Sequence, residues 1–413
     1  MEYQPIARVA ENWGISPRRL QVLCAQGKVE GAVRFGRAWM IPENAQKPAD
    51  GRSRQSKQAD IPAQDQPLPR NTPFLHMTDL YRRPGSAQAS VEALEGHPEA
   101  QTLLAAEVAF SRGEIDTVYN SAHYLLYRRS GFYAVIAAGM LLARCAIWRG
   151  DLHLWRQAKI HIAEAPAKCA ADRDIMAFSL TAIDSILYDV SSFPEWFKIG
   201  RFEPLHPDSL SAVKVFYAKY LYAVGYEVAT RETSIQGIQG TGFLGVIPNI
   251  LEPMISQAAA DGALIAEIYL RLTCAAVYHS VQNDSQALFH IDRAIALALP
   301  DRLYGILAEY GRVLGFLLEL QLSQADPVAW AEVSRLSNLY NTGWTKLSGS
   351  VRGKALTTTL TRKEREVAKL AAFGMKNAEI AQTLHMSVSA VKQAITNVSN
   401  KTGMSREEFA AVL

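Results

Sequence analysis

The sequence predicts a mainly α-helical protein of several domains. At 413 residues, two or more domains are expected. Apolar residues recur at helical spacing along most of the chain. A stretch rich in Pro and Gln, without an apolar face, interrupts that pattern and isolates a short N-terminal segment. We therefore predict four segments, at residues 1–42, 43–75, 76–350 and 351–413.

Residues 1–42 are predicted to form a helix, a turn, a second helix and a hairpin. Apolar side chains spaced by three and four residues define the first helix, at Ile6, Val9, Ala10 and Trp13. Ser16 is suited to cap the second helix, because Pro17 follows it at the first helical position. Two short apolar strands flank the turn residues Gly36 and Arg37. This order predicts a small winged helix-turn-helix.

That order and the stretch from Trp13 to Arg19 resemble the N-terminal half of MerR-type and excisionase-type DNA-binding domains. The resemblance implies that the second helix enters a DNA groove and that the hairpin lies against the DNA backbone. The residues that it marks for DNA contact are Ser16, Arg18, Arg19, Gln21, Arg34 and Arg37. Two alternatives remain: a structural cap on the larger domain, and a recombination accessory factor like the excisionases.

Residues 43–75 are predicted to be a flexible linker, since they contain several prolines and no apolar face. A flexible coil of about 30 residues spans on the order of 30 Å. One turn of DNA is roughly 34 Å long. We therefore hypothesise that the N-terminal unit can reach a groove next to one bound by the C-terminal unit.

Residues 76–350 are predicted to form an all-α domain. Apolar, Ala-rich runs mark its helices, at residues 103–110, 133–148, 175–188, 212–228, 265–278, 287–299, 303–320 and 328–340. The turns Arg112-Gly113-Glu114 and Arg149-Gly150-Asp151 lie 37 residues apart, and Asn283-Asp284 is a diverged third instance. This period resembles tetratricopeptide-type repeats, with a plain helical bundle as the alternative. The region also resembles the helical domain of MalT-like regulators, without their ATPase module.

No enzymatic activity, cofactor or metal is predicted. Residues 240–245 match Gly-x-Gly-x-x-Gly but lack the strand–helix–strand context that binds a dinucleotide. Because Pro248 and Pro253 follow, we predict an inter-helix loop there. The four cysteines are far apart and form no Cys-x-x-Cys pair, so neither a zinc site nor a disulfide framework is expected. The wall of any ligand pocket is predicted at residues 217–245.

Residues 351–413 are predicted to form a compact unit of four helices. Thr361 and Glu364 have the spacing of a capping box, as do Ser405 and Glu408. Gly374 is suited to end the first helix, Asn377 to cap the second and Ser387 to cap the third. Val391, Ile395 and Val398 fall on the inward face of that third helix. Two short helices joined by a tight turn predict a helix-turn-helix, with a solvated helix face as the alternative.

The run from Leu360 to Val367, with Gly374, Glu379-Ile380-Ala381, Val391-Lys392 and Gly403, resembles the LuxR-type (GerE-like) helix-turn-helix. His385 stands where that family usually has Gly in the turn, and His tolerates positive φ better than most residues. The resemblance implies that the third helix enters the major groove of double-stranded DNA. The predicted DNA-binding residues are Lys376, Asn377, Ser387, Ser389, Val391, Lys392, Gln393, Thr396, Asn397 and Lys401. Val391 is therefore predicted both on the inward face of the third helix and among its DNA contacts.

Charge is divided unevenly along the chain. The net charge is +4 over residues 1–60 and +5 over residues 352–413, which leaves −6 for the middle. Basic ends around an acidic middle suggest two sites for a polyanion. Because these net charges are small, chance variation among solvent-exposed charges is the alternative explanation for their uneven distribution.

These patterns predict a cytoplasmic transcription regulator. The longest uncharged apolar run, residues 131–143, is shorter than the ~20 residues that cross a bilayer, so no membrane association is expected. A homodimer is expected, because helix-turn-helix units usually pair on two-fold sites. A small-molecule or protein effector is expected to act on the helical domain and to control how the DNA-binding ends are presented. The alternative is a helical-repeat scaffold for another protein, with secondary DNA binding.

Overall fold

The structure, a computed structural model, is mainly helical, in agreement with the predicted fold class. The chain divides into two compact units, Met1–Gln64 and Asp65–Leu413, which we describe separately. The residues described are 3–13, 15–25, 29, 31–35, 38–43, 45, 47, 68–128, 130–236, 242–352, 360–402, 406 and 409.

The first unit combines two helices with a three-stranded antiparallel sheet. Its elements are β1 (Tyr3–Pro5), α1 (Ile6–Asn12), α2 (Pro17–Ala25), β2 (Val33–Phe35) and β3 (Ala38–Pro42). β3 is the central strand, and it pairs Met40 with Val33 of β2 and with Pro5 of β1. The sequence did not predict β1, because three residues are too few to show an alternating pattern. The helices and the hairpin strands follow the predicted order.

The second unit begins with a body of fourteen described α-helices. They are α3 (Ala87–Glu92), α4 (Pro98–Arg112), α5 (Ile115–Tyr127), α6 (Phe132–Arg149), α7 (Leu152–Ala163), α8 (Ala170–Ile186), α9 (Glu195–Lys198), α10 (Leu210–Gln236), α11 (Gly242–Asp261), α12 (Leu264–Ser280), α13 (Asp284–Ala298), α14 (Tyr304–Glu309), α15 (Gly311–Ala325) and α16 (Pro327–Arg352). Three 3-10 turns lie at Leu75–Met77, Pro207–Ser209 and Leu299–Asp301. Together with these helices they enclose one large apolar core.

The two glycine turns seen in the sequence end helices of this body. Gly113 follows α4 with φ 87°, and Gly150 follows α6 with φ 61°, so both adopt the left-handed conformation that glycine favours. Both turns lie against the long helix α16, because a Cβ on Gly113 would meet Leu336 and one on Gly150 would meet Lys346. The diverged third turn, at Asn283, separates α12 from α13, and its side chain accepts a hydrogen bond from the Gln286 N–H.

Three predicted boundaries differ from the structure. The run at 303–320 is two helices, α14 and α15, which meet at Tyr310. The predicted loop at 240–245 is helical from Gly242 onwards, and Pro248 and Pro253 both lie inside α11; the residues before Gly242 that match the glycine pattern lie outside the described part. Leu75 is fully buried in the body, so packed structure begins within the stretch 43–75 that was predicted as linker.

Helix α6 is the one described helix that is long and apolar enough to cross a bilayer. Within the folded body, 78% of it is buried against neighbouring helices. Two glycines bring it close to those neighbours: a Cβ on Gly139 would lie 2.6 Å from Ile162 of α7, and one on Gly343 of α16 would lie 2.3 Å from the carbonyl oxygens of Ile147 and Trp148. The backbones of α6 and α16 therefore touch directly.

A charged cluster lies inside the body between α6, α10, α12 and α14. Nη2 of Arg144 donates to the Tyr269 hydroxyl at 3.0 Å and lies 3.8 Å from Oε1 of Glu309. Nζ of Lys219 lies 4.4 Å from the centre of the Tyr269 ring and 4.0 Å from Oε2 of Glu309. Burial lowers the pKa of Lys219 to about 8, although the carboxylate of Glu309 opposes that shift.

Candidate nucleic-acid interface

The second unit ends in a helical segment that follows the body, from Leu360 onwards, which we call the C-terminal unit. It contains three described helices, α17 (Arg362–Ala372), α18 (Asn377–Thr383) and α19 (Val388–Thr402). They pack around a separate apolar core whose fully buried members include Val367, Ile380, Val391, Val398 and Phe409. Phe409 belongs to the predicted fourth helix, and the second capping box lies outside the described residues apart from Arg406. This core fixes which face of α19 points away from the packed interior.

Capping interactions hold α17 and α18 in place. The Thr361 N–H donates to Oε2 of Glu364 at 2.7 Å, and the Glu364 N–H donates to Oγ1 of Thr361 at 3.2 Å, which confirms the predicted capping box. Gly374 has φ 80°, as expected for the residue that ends α17. The N-cap of α18 is Lys376 and not Asn377, so the predicted cap is wrong by one residue.

The turn between α18 and α19 has the predicted conformation. His385 has φ 51°, in the left-handed region, at the position where the LuxR-type motif that this segment resembles usually has Gly. The Met386 N–H donates to the Ala381 carbonyl oxygen at 2.9 Å and closes the turn. Oγ of Ser387 then accepts the Ala390 N–H at 3.1 Å, which confirms Ser387 as the cap of α19.

The outward face of α19 carries the predicted polar side chains. Ser389, Lys392, Gln393 and Thr396 are exposed, and Asn397 is half-buried. The Gln393 amide donates to Oδ1 of Asn397 at 3.1 Å, and the Thr396 hydroxyl donates to the Lys392 carbonyl oxygen at 3.1 Å. These interactions are local and exposed, so the side chains can exchange them for contacts to a base or a phosphate.

Not every predicted contact residue lies on that face. Val391 is fully buried in the core of the unit, so its prediction as a DNA contact is wrong, and it stabilises the fold instead. Asn377 is half-buried, and Nη1 of Arg406 donates to its Oδ1. Lys376 is exposed beside it. The side chain of Lys401 lies outside the described residues.

The N-terminal unit presents a second set of predicted residues. Ser16, Arg18 and Gln21 are exposed at the start of α2, and Arg34 is exposed on β2 opposite Trp39. The helix that carries Arg18 is anchored by Leu20, which is fully buried. The side chain of Arg19 and all of Arg37 lie outside the described residues. The exposed side chains have the chemistry required for phosphate contacts.

A cavity beside α19 is not indicated by any pattern in the sequence. Gln393, Thr396 and Asn397 of α19 line a cavity of about 290 Å³. Its other walls are α15, α16, the end of α12 and Glu364 of α17. The unit is also joined to α10, because the Tyr226 hydroxyl donates to the Leu360 carbonyl oxygen at 2.5 Å. Contacts between segments so distant in sequence leave no local pattern. This cavity lies elsewhere than along residues 217–245, where the sequence placed a pocket wall.

A cluster of metal-ligand type occurs in the helical body. Glu252, Cys274 and His290 place their ligand atoms within 4.8 Å of one another. Nε2 of His290 hydrogen-bonds to Oε1 of Glu252 at 3.0 Å, and burial raises the pKa of the Cys274 thiol. A buried thiol therefore lies beside a hydrogen-bonded His–Glu pair.

The geometry of α17–α19 defines the class of the C-terminal unit, a helix-turn-helix whose last helix presents a polar face. Residues 358–412 match the family model of GerE, described as bacterial regulatory proteins, luxR family. The match supports the resemblance found in the sequence for this segment. No curated protein and no solved structure matches the chain. The MerR-like and tetratricopeptide-like resemblances stay predictions.

Proposed function

We propose that the chain is a cytoplasmic, sequence-specific DNA-binding transcription regulator without enzymatic activity, which binds as a homodimer. The observation that carries this proposal is the outward polar face of α19, in the segment that matches the luxR family. Lys392 and Lys376 neutralise phosphates and supply affinity. Gln393 and Asn397 have the amide chemistry that bonds adenine at two points and supply sequence choice.

The N-terminal unit is proposed as a second DNA contact. Arg18 and Gln21 project from α2, and Arg34 projects from the neighbouring hairpin. In this proposal α2 approaches a groove and the hairpin follows the DNA backbone. The MerR-like order of elements supports it.

The helical body is proposed to control access of DNA to α19. Gln393, Thr396 and Asn397 would face bases, and the same three residues line the cavity against α15 and α16. A duplex and the helical body therefore compete for one face of α19. In this proposal, the described arrangement is a closed form that binds DNA weakly, and an effector that shifts the equilibrium between closed and open forms changes transcription.

The test is a genome-wide map of the DNA fragments bound by the full chain. Lys392→Ala is expected to remove most bound fragments, and Arg18→Ala is expected to weaken binding at a subset or at all of them. Lys369→Ala is the matched control, because Lys369 is an exposed lysine on α17 of the same unit. The proposal would be refuted if the parent and Lys392→Ala bound the same DNA fragments to the same extent.

A further inference from the structure

Three side chains of metal-ligand type meet inside the helical body, one from each of three successive helices. Glu252 lies on α11, Cys274 on α12 and His290 on α13. Their ligand atoms lie within 4.8 Å of one another, and no other such group occurs in the part of the chain that the structure describes. Because each ligand belongs to a different helix, no Cys-x-x-Cys or similar motif marks the group in the sequence.

The three ligands differ in their access to solvent. Cys274 and His290 are fully buried, whereas the side chain of Glu252 is 44% exposed. Two ligands are therefore fixed by the packed core, and the third lies at the surface, where an ion can enter and water can complete its coordination. An ion bound between these side chains needs no larger cavity, since zinc lies only about 2.0–2.3 Å from its ligand atoms.

His290 is held in position by one hydrogen bond and one ring contact. Its Nε2 hydrogen-bonds to Oε1 of Glu252 at 3.0 Å. Its ring stacks on Tyr278, one helical turn after Cys274, with 5.6 Å between the ring centres and 18° between the ring planes. Nδ1 of His290 has no hydrogen-bond partner among the described residues. Keeping a half-satisfied imidazole in the core costs stability, so the ring fits a ligand role better than a packing role.

The charges around the group suit a divalent cation. The arginine nearest to Cys274 in the sequence, Arg271, is paired with Glu267, with 2.7 Å between Nη2 and Oε1. A divalent ion bound by the carboxylate of Glu252 and the thiolate of Cys274 leaves no net charge at the site. A neutral complex avoids most of the cost of placing charge in the protein interior.

We propose that Glu252, Cys274 and His290 form a zinc site, with water as the fourth ligand. Zinc accepts this mixture of sulfur, nitrogen and oxygen ligands, whereas Mg²⁺ and Ca²⁺ require mainly oxygen ligands. Ligand atoms on a tetrahedral zinc ion lie roughly 3.3–3.6 Å apart, so the thiol moves inward by about 1 Å and the His290–Glu252 pair opens slightly. The S–H bond of Cys274 breaks as the zinc–sulfur bond forms, and its proton leaves to solvent.

A zinc ion at this place joins α11, α12 and α13 at one point. The three ligands are brought together only in the folded chain, so the ion raises the stability of the body by mass action. None of the three belongs to the C-terminal unit, so the zinc site and the DNA-binding function can fail independently of each other.

The test uses the full chain, first stripped with a chelator and kept reduced with a phosphine, and titrates it with Zn²⁺, Co²⁺ or Mg²⁺ at equal ionic strength. Zn²⁺ is expected to bind with 1:1 saturation. At a free concentration about 100 times its Kd, it should raise the midpoint of thermal unfolding by about 4 °C. Co²⁺ is expected to give the visible bands of a four-coordinate complex and a near-ultraviolet cobalt–thiolate band, which added Zn²⁺ removes. Mg²⁺ is expected to do neither.

Cysteine variants assign the sulfur ligand. Cys274→Ser is expected to abolish the cobalt–thiolate band and to weaken zinc binding by at least about 100-fold, since loss of even an outer-shell partner costs 10–100-fold. Cys145→Ser is the control for a buried cysteine, and Cys169→Ser is the control for an exposed one. Both controls are expected to bind zinc as the parent does.

Glu252→Gln gives a second reading should Cys274→Ser fold poorly, because its partly exposed position tolerates the change. It is expected to weaken zinc binding about tenfold or more. Glu332→Gln is its control, since Glu332 is a similarly exposed glutamate on α16. The assignment would be overturned by a parent that binds no zinc, by a cobalt complex without a thiolate band, or by zinc binding that is unchanged in Cys274→Ser or in Glu252→Gln.

Discussion

Val391 and Lys392 are adjacent in the sequence but lie on opposite sides of α19. The valine is fully buried, and the lysine is exposed. The spacing of apolar residues predicts the inward direction of Val391 correctly, whereas the prediction of Val391 as a DNA contact is wrong. Side-chain direction along a helix is a local property, so the sequence predicts most of this face. The cavity beside α19 depends on residues far away in sequence, and no local pattern indicated it.

Val391→Ala is expected to destabilise the C-terminal unit by roughly 2 kcal/mol, because it removes two buried methyl groups from a packed core. Val388→Ala is the matched control, since Val388 is 43% exposed at the start of the same helix. Denaturant unfolding of both variants measures the difference. Equal free energies of unfolding would contradict the placement of Val391 in the core.

Lys219→Met tests the charged cluster inside the body through the pH dependence of stability. The pKa of Lys219 is lowered to about 8 in the folded chain, below its ordinary value of about 10.4. Between these values the unfolded chain binds more protons, so the contribution of Lys219 to stability rises with pH. From pH 7 to pH 10 the parent is expected to gain on the order of 2 kcal/mol relative to Lys219→Met.

Denaturant unfolding at both pH values measures this gain. Lys214→Met, on the same helix, controls for the loss of one positive charge. A stability difference between the parent and Lys219→Met that is the same at pH 7 and pH 10 would contradict the assigned cause.

Helices were the elements that the sequence predicted best, and their exact limits were predicted least well. The apolar pattern at 303–320 predicts one helix because it continues through Tyr310, whereas α14 ends at Glu309 and α15 begins at Gly311. Pro248 and Pro253 predict a loop, yet both lie inside α11. Tertiary packing outweighs local propensity in these cases.

Gly343→Ala is the sharpest test of helix packing. The added Cβ would lie 2.3 Å from the carbonyl oxygens of Ile147 and Trp148, so α6 and α16 would have to separate. We expect a loss of about 1–3 kcal/mol in the free energy of unfolding. Gly349→Ala on the same helix meets nothing within 4 Å and is expected to gain up to about 1 kcal/mol. Equal effects of the two substitutions would contradict the close contact.

At the scale of the whole molecule, the second unit joins a helical body to a helix-turn-helix through a small set of contacts. The sequence predicted both parts as separate domains but gave no sign that they touch. The hydrogen bond from Tyr226 to Leu360 and the shared cavity are long-range features of the fold. They are the basis for proposing a closed form.

Tyr226→Phe is expected to favour release of α19. The substitution removes the hydrogen bond to the buried Leu360 carbonyl and weakens the closed form by about 1 kcal/mol. DNA affinity of the full chain should then rise by roughly fivefold, as measured by duplex titration. Tyr222→Phe is the control on the same helix, because the Tyr222 hydroxyl contacts Ser280 at 3.3 Å within the body. A rise of the same size in both variants, or none in Tyr226→Phe, would contradict the closed form.

The most direct test of the central claim is the selection of duplexes from a random pool by the full chain at moderate ionic strength, compared with Gln393→Ala. The account predicts an enriched sequence for the parent, and loss of preference at one or two base pairs for Gln393→Ala, with a cost of about 1–3 kcal/mol for the correct base. Affinity should fall steeply with salt in both cases, because phosphate contacts release counterions. A parent that enriches no sequence, or a Gln393→Ala variant that enriches the same sequence equally well, would contradict it.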